Sequence, residues 1–275
     1  MSAPTDRAAM DPTAYLARIG QQSPAGDAAP SLALLGALHQ AHLFTVPFEN
    51  LSIHYGQPIV LDDAALYDKI VTRRRGGFCY ELNGLFRWLL RALGYEVTLL
   101  SAEVAHADGG FSAPFDHLTL CVHGLDGADW LADVGFGDSF WQPLRLAHDV
   151  AQDGADGKHY RLRAADGAVS ADGAAYWLLE QEADGLDGAR WEPQYRFTLA
   201  PHVLGDYGER CHYQQTSPDS SFTKKRVCTL AVPDGRDTLS ELTLIETRHG
   251  ARNERVLPSE EAYRATLAER FGVVV

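Results

Sequence analysis

The sequence predicts an α+β protein in which helices come first and strands follow. Up to Leu93 the apolar residues recur with a helical period of about 3.6, and from Tyr95 the period becomes 2. Asp126-Gly127, Asp166-Gly167, Asp172-Gly173 and Asp187-Gly188 punctuate the later part as hairpin turns do. A block of helices before a block of strands indicates an α+β arrangement or separate domains.

Asp11 followed by Pro12 is a helix start, and Tyr15, Leu16 and Ile19 form its apolar stripe before Gly20. Gln21 to Pro30 reads as a linker. Ser31 caps a second helix carrying Leu32, Leu35, Leu38 and Leu43, which Pro47 ends. A third, shorter helix is expected over Asp63 to Val71. In the fourth, Leu82, Leu85, Phe86, Leu89 and Leu93 share one face and Gly94 is the stop. Strands are expected at 96–104, 118–123, 160–163, 176–181, 195–199, 226–232 and 239–246. The Ala/Asp/Gly-rich stretch from Ala147 to Gly188 reads as long exposed hairpin loops. Ser259 caps a last helix with Tyr263, Leu267 and Phe271 on its inner face.

Composition is that of an ordinary globular chain, 45% hydrophobic and 22% charged. The net charge of −13 argues against nucleic acid and anionic membrane surfaces as partners. No apolar run approaches the roughly 20 residues of a membrane span, and the first thirty residues show no secretory signal pattern. The four cysteines, at 79, 121, 211 and 228, form no C-x-x-C pair and are too sparse for a disulfide framework. A reducing, cytoplasmic setting is therefore expected, with no metal site and an oligomeric state that the sequence leaves open.

Arg75-Gly76-Gly77-Phe78-Cys79-Tyr80-Glu81 places a cysteine where a glycine turn becomes a helix. The free amides and dipole of the first turn favour an anion there, and Arg73, Arg74 and Arg75 act in the same direction, towards a thiolate. A buried structural cysteine fits the position equally well. Downstream, His117 opens an alternating run and Asp133 ends another. Thiol, imidazole and carboxylate in that order suit nucleophile, base and orienting group in acyl transfer. Papain-like peptidases fit poorly, because their histidine falls about 130–150 residues after the cysteine, much farther than His117 lies from Cys79.

With these residues together, the chain resembles the arylamine N-acetyltransferases. The resemblance rests on Val46-Pro47-Phe48-Glu49-Asn50-Leu51, on Arg74 to Glu81, on the strand opening at His117, and on Asp133-Val134-Gly135-Phe136-Gly137 followed by Trp141-Gln142-Pro143-Leu144. It extends to Thr216-Ser217-Pro218-Asp219-Ser220-Ser221-Phe222. It implies a helical bundle (1–94) carrying the nucleophile, a central antiparallel β-barrel (95–200) carrying His and Asp, and a C-terminal α/β lid (201–275). It implies Cys79, His117 and Asp133 as a catalytic triad, and acetyl-CoA as cosubstrate rather than a tightly bound cofactor. Small aromatic amines and hydrazines are the implied acceptors, near Phe48, Phe136 and Phe115. Phe111, Phe140 and Trp141 are further candidates for that pocket.

The resemblance further implies that Gly135 and Gly137 border the CoA site and that Arg75 pairs with Glu49. Lys224-Lys225-Arg226 is the second basic cluster, able to meet a phosphate or to form a solvated face. Backbone amides near Cys79 are the natural oxyanion donors. Alternatives are an amide synthase that closes macrolactams on the same fold, a transglutaminase-like cysteine hydrolase, or a binding module with a degenerate triad.

Overall fold

The first two helices are locked by side-chain caps. The structure is a computed structural model that describes residues 10–23, 29–171, 173–183 and 190–275. Asp172, the Asp187-Gly188 turn, the first nine residues and part of the 21–30 linker lie outside these. In α1 (Pro12–Arg18) the Asp11 carboxylate accepts the Thr13 amide, and in α2 (Leu32–Leu43) the Ser31 hydroxyl accepts that of Leu34. Strand β1 (Phe48–Glu49) leads into α3 (Leu51–His54). The expected third helix is α4 (Asp63–Tyr67) running into a π turn (Asp68–Thr72), from which Lys69 points into the core. The central helix is α5 (Cys79–Ala92).

The strands that follow are β2 (Val97–Val104), β3 (His117–Leu125), β4 (Ala128–Ala132), β5 (Leu144–Arg145), β6 (Gln152–Asp153), β7 (His159–Val169), β8 (Ala175–Ala183) and β9 (Arg190–Phe197). They form one sheet in the order β5-β4-β3-β2-β9-β8-β7-β6, a nearly closed antiparallel barrel. Its seam is bridged by Gln152, whose amide donates to the Arg145 carbonyl while its oxygen accepts the Arg145 amide. The interior is filled by Leu100, Phe140, Tyr160, Leu162, Leu179, Tyr195 and Phe197. The stretch from 147 to 183 is therefore not the exposed loop expected. Its Ala and Gly residues dilute the alternation, yet Tyr160, Leu162 and Leu179 are fully buried.

A second sheet closes the molecule. After α6 (Gly208–Thr216) and α7 (Ser221–Lys224) come β10 (Val227–Val232), β11 (Gly235–Ser240), β12 (Thr243–Arg248) and β13 (Ala251–Val256), then α8 (Glu260–Phe271). The single strand expected over 239–246 is a hairpin, because Glu241 adopts φ 48 and reverses the chain between two apolar runs. β13 carries no apolar alternation and is exposed throughout, which is why periodicity missed it. The sheet order is β1-β10-β11-β12-β13. Its first strand thus comes from the helical part: Phe48 pairs with Thr229 and Glu49 with Cys228.

That strand is locked on its other side by the glycine turn. Glu49 donates its amide to the Gly77 carbonyl at 2.8 Å, and Arg75 Nη2 meets Glu49 Oε1 at 2.8 Å. Lys69 stands between the two acids, 2.7 Å from Glu81 and 3.8 Å from Glu49. A Cβ on Gly76 would lie 2.0 Å from the Pro47 carbonyl oxygen, and one on Gly77 would lie 2.7 Å from Glu81. Both glycines are therefore dictated by close approach rather than by φ. Removing one partner of a buried pair strands the other, at about 3 kcal/mol. Arg75→Met is expected to lose that much in urea denaturation, and adding Glu49→Gln should restore most of it. Additive losses would show that the pair is not a unit.

Candidate active site

Cys79 is the first residue of α5 and is 3% exposed. Its sulfur lies 4.0 Å from the Asp116 carbonyl oxygen, so the residue before His117 borders it. Burial holds the thiol well above its ordinary range, the Leu118 amide opposes this, and the Asp116 and Asp133 carboxylates add to it. The arginines do not provide the anion stabilisation expected of them. Arg75 is neutralised by Glu49 and Arg73 by Asp68, while Arg74 is exposed. A thiolate here requires a base that takes the proton and stays beside it.

His117 is held in place by a buried carboxylate. Its Nε2 donates to Asp133 Oδ2 at 2.6 Å, leaving Nδ1 as the remaining ring nitrogen. Both side chains are at least 97% buried, at 3% and 0% exposure. The preceding segment is pinned by Tyr80, whose hydroxyl donates to the Phe115 and Asp116 carbonyls at 2.8 and 3.1 Å. Phe115 sits at φ 63, an unfavourable region for a non-glycine residue, and Ser101 Oγ accepts its amide at 2.8 Å. Asp116 in turn accepts from Arg210 and Gln214 of α6.

Asp133 is the convergence point. Besides His117, its carboxylate accepts from Asn83 Nδ2 (2.8 Å), the Tyr195 hydroxyl (2.9 Å) and the Gly135 amide (2.9 Å). Burial alone would raise its pKa, but His117 and these donors hold it below the usual carboxylate range. The Asp133 amide donates to His39 Nε2, whose Nδ1–H donates to the Trp141 carbonyl. Burial lowers His39 to about 4, so it stays neutral in that tautomer. Asn83, one helical turn beyond Cys79, also donates to the Leu118 carbonyl (2.6 Å) and accepts the Val134 amide (2.9 Å). Asn83, Tyr195 and His39 escaped the sequence reading. The i, i+4 placement of Asn83 behind Cys79 was the one available signal.

The loop after Asp133 approaches Cys79 closely. A Cβ on Gly135 would lie 2.9 Å from Cys79 Cα, and Gly137 has φ +95. Phe136 packs on His117 and Tyr195 with ring centroids 5.1 Å apart in each case. Phe48 contacts Phe222 and faces Gly137. Phe115 has other neighbours, His202 and Tyr207. Phe140 stacks on His39 and meets Tyr160 edge-on in the core, Trp141 packs edge-on against Phe44, and Phe111 lies beneath Arg196. In the second basic cluster, Arg226 is bound to Glu241 and Glu260, leaving Lys224 and Lys225 exposed at the end of α7.

Residues 31–275 match the N-acetyltransferase family model. The chain is 33% identical over 282 residues to the arylamine N-acetyltransferase pineal gland isozyme NAT-10 of Gallus gallus, covering 95% of this chain and 93% of that one. It is also 33% identical to arylamine N-acetyltransferase 1 of Homo sapiens, covering 96% and 94%. The chain belongs to the arylamine N-acetyltransferase family. The solved structure of the Salmonella typhimurium member superposes with a TM-score of 0.85 at 29% identity, covering 98% of this chain and 92% of that one. The enzyme is thus an acyltransferase by family, and among the described residues no helix is long and apolar enough to cross a membrane.

The Asp133 network gives a signed pH dependence. A carboxylate whose folded pKa is depressed stabilises the fold fully above its unfolded pKa, about 3.9. That contribution is lost as pH falls through the lower folded value. Asp133→Asn is therefore expected to destabilise the enzyme at neutral pH and to flatten the acid limb of the Tm–pH curve below about pH 4. A mutant whose acid limb parallels that of the wild type would contradict the assignment.

Proposed function

We propose that the enzyme transfers the acetyl group of acetyl-CoA to arylamines, aryl hydrazines and hydrazides through an acetyl-cysteine intermediate. The observation that carries this reading is the pairing of His117 Nε2 with the buried Asp133 carboxylate beside a helix-start cysteine. Cys79 is the nucleophile, His117 the base and Asp133 the orienting group. The relatives' names, arylamine N-acetyltransferase, support the acceptor class.

In the first half-reaction His117 takes the Cys79 proton and the sulfur attacks the thioester carbonyl carbon. The bond from that carbon to the CoA sulfur breaks, and His117 returns the proton to the leaving thiol. In the second, the amine nitrogen attacks the acetyl-cysteine carbonyl and gives its proton to His117. The acetyl–sulfur bond breaks and Cys79 is regenerated with that proton. Asp133 offsets the imidazolium charge in both. The absence of a side chain at Gly135, so near Cys79 Cα, favours access by a thioester, and Gly137 extends that open backbone. Lys224 and Lys225, exposed and without a carboxylate partner among the described residues, are suited to CoA phosphates. Phe136, Phe48 and Phe115 are assigned to the aromatic acceptor. In this reading the bundle runs to residue 94, the barrel to 200 and the lid from 201.

Two measurements test the proposal. Wild-type enzyme should release CoA only when an arylamine is present after the first turnover, and Cys79→Ala should release none while keeping its Tm. Iodoacetamide should label Cys79 ahead of Cys121, Cys211 and Cys228, and prior acetyl-CoA should protect it; equal labelling of all four would remove the activated thiol.

Protonation state sets the acceptor range. A lysine-like amine, with a pKa of about 10.4, is almost wholly cationic at neutral pH, whereas an aniline keeps its lone pair. Anilines and aryl hydrazides should therefore be acetylated and alkylamines not. Faster acetylation of spermidine than of 4-substituted anilines would overturn the acceptor assignment.

A further inference from the structure

A second grouping of thiol, imidazole and carboxylate lies on the outer end of the β3–β4 pair. Cys121 and His123 alternate on β3 and share a face. Asp129 comes from β4, where the register shifts between Val122 and Leu125. Cys121 Sγ lies 3.7 Å from His123 Nδ1, and Asp129 Oδ2 lies 3.2 Å from the same nitrogen. All three donor atoms fall within 4.8 Å of one another.

The arrangement differs from that of His117 in one decisive respect. A proton relay needs thiol and carboxylate on opposite ring nitrogens. Here both converge on Nδ1, while Nε2 is engaged by Thr98 Oγ1 at 2.7 Å. Convergence of sulfur, nitrogen and oxygen on one point is the geometry of chelation. A tetrahedral zinc with bonds of about 2.3 Å to sulfur and roughly 2.0 Å to nitrogen and oxygen sets those donors about 3.3–3.5 Å apart. The observed 3.7 and 3.2 Å bracket that spacing. Thr98 supplies the outer contact that orients a ligating imidazole, accepting Nε2–H so that the Nδ1 lone pair faces the metal. The Gly124 amide does the same for the carboxylate, donating to Asp129 Oδ1 at 3.0 Å.

We propose that Cys121, His123 and Asp129 form a binding site for a borderline-soft divalent cation of the zinc class, with water as the fourth ligand. A thiolate and an imidazole select such an ion over magnesium or calcium, which prefer all-oxygen sets. Cys121 is buried, His123 is 29% and Asp129 46% exposed in their side chains, so the ion enters from the Asp129 side. Binding requires the Cys121 thiol to release its proton to solvent. The site belongs to the barrel and is independent of the Cys79 chemistry.

Cobalt(II) is the probe, because coordination to a thiolate produces a near-ultraviolet charge-transfer band. The titration is done on full-length Cys79→Ala protein, so that the thiol at the nucleophile position cannot contribute. One equivalent of cobalt should bind with the thiolate band, and zinc should displace it. Adding Cys121→Ser should abolish the band. Asp129→Asn, a near-isosteric change at a half-exposed position, should weaken affinity at least tenfold. Thr98→Val should weaken it about tenfold through the outer contact alone. No saturable cobalt binding, or a thiolate band that survives Cys121→Ser, would overturn the site, as would affinity unchanged in the folded Asp129→Asn variant.

Discussion

The elements around Cys79 are tied together by one buried carboxylate. Asp133 cannot be solvated where it lies, so it must collect donors, and the donors it collects come from four separate parts of the chain. Asn83 brings α5, His117 brings β3, Tyr195 brings β9 and Gly135 brings the following loop. Each such bond to a charged acceptor is worth about 1.5–3 kcal/mol, and losing any one leaves a charge underpaired in an apolar surrounding. The network therefore has little freedom to rearrange, and the placement of His117 follows from the satisfaction of a single anion. His39 completes it by holding the Asp133 backbone from α2.

A second buried charge cluster, Glu49, Arg75, Lys69 and Glu81, does for the glycine turn what Asp133 does for His117. It fixes where α5 starts, because Glu81 accepts the Phe78 amide at 3.1 Å and caps the helix from within. The two clusters meet at α5: one sets the position of its first turn, the other reads the residue one turn further along. Cys79 lies between them, with its carbon skeleton held on both sides and only its sulfur facing the histidine segment.

The parts of this arrangement legible in sequence were those with local signatures. The caps at Asp11, Ser31 and Ser259, the amphipathic face of α5, and the Gly-Gly-Phe-Cys turn depend on neighbours within a few residues. The contributions of Asn83, Tyr195 and His39 depend on partners far along the chain, and a lone buried polar residue on an apolar element carries no mark of its partner. The centres of barrel strands β7 and β8 are legible at 160–163 and 176–181, but small residues weaken the alternation towards their ends, and β13 has no buried face at all. The reading of Arg73 to Arg75 as thiolate-stabilising fails because charge counted along a sequence does not reveal that Asp68 holds Arg73, and the Glu49 partner that the family resemblance implies for Arg75 removes a second charge.

The pairing of β1 with β10 has a consequence for the order in which the molecule can be completed. Phe48 and Glu49 are synthesised well before the strand that covers their outer edge, Val227–Val232. Until then the early segment holds an unpaired edge, and the acid intended for Arg75 sits at an unfinished boundary. The terminal portion of the chain is thus a keystone: the helical part can collapse around its apolar residues beforehand, but its most costly buried charges become fully enclosed only when the last sheet arrives.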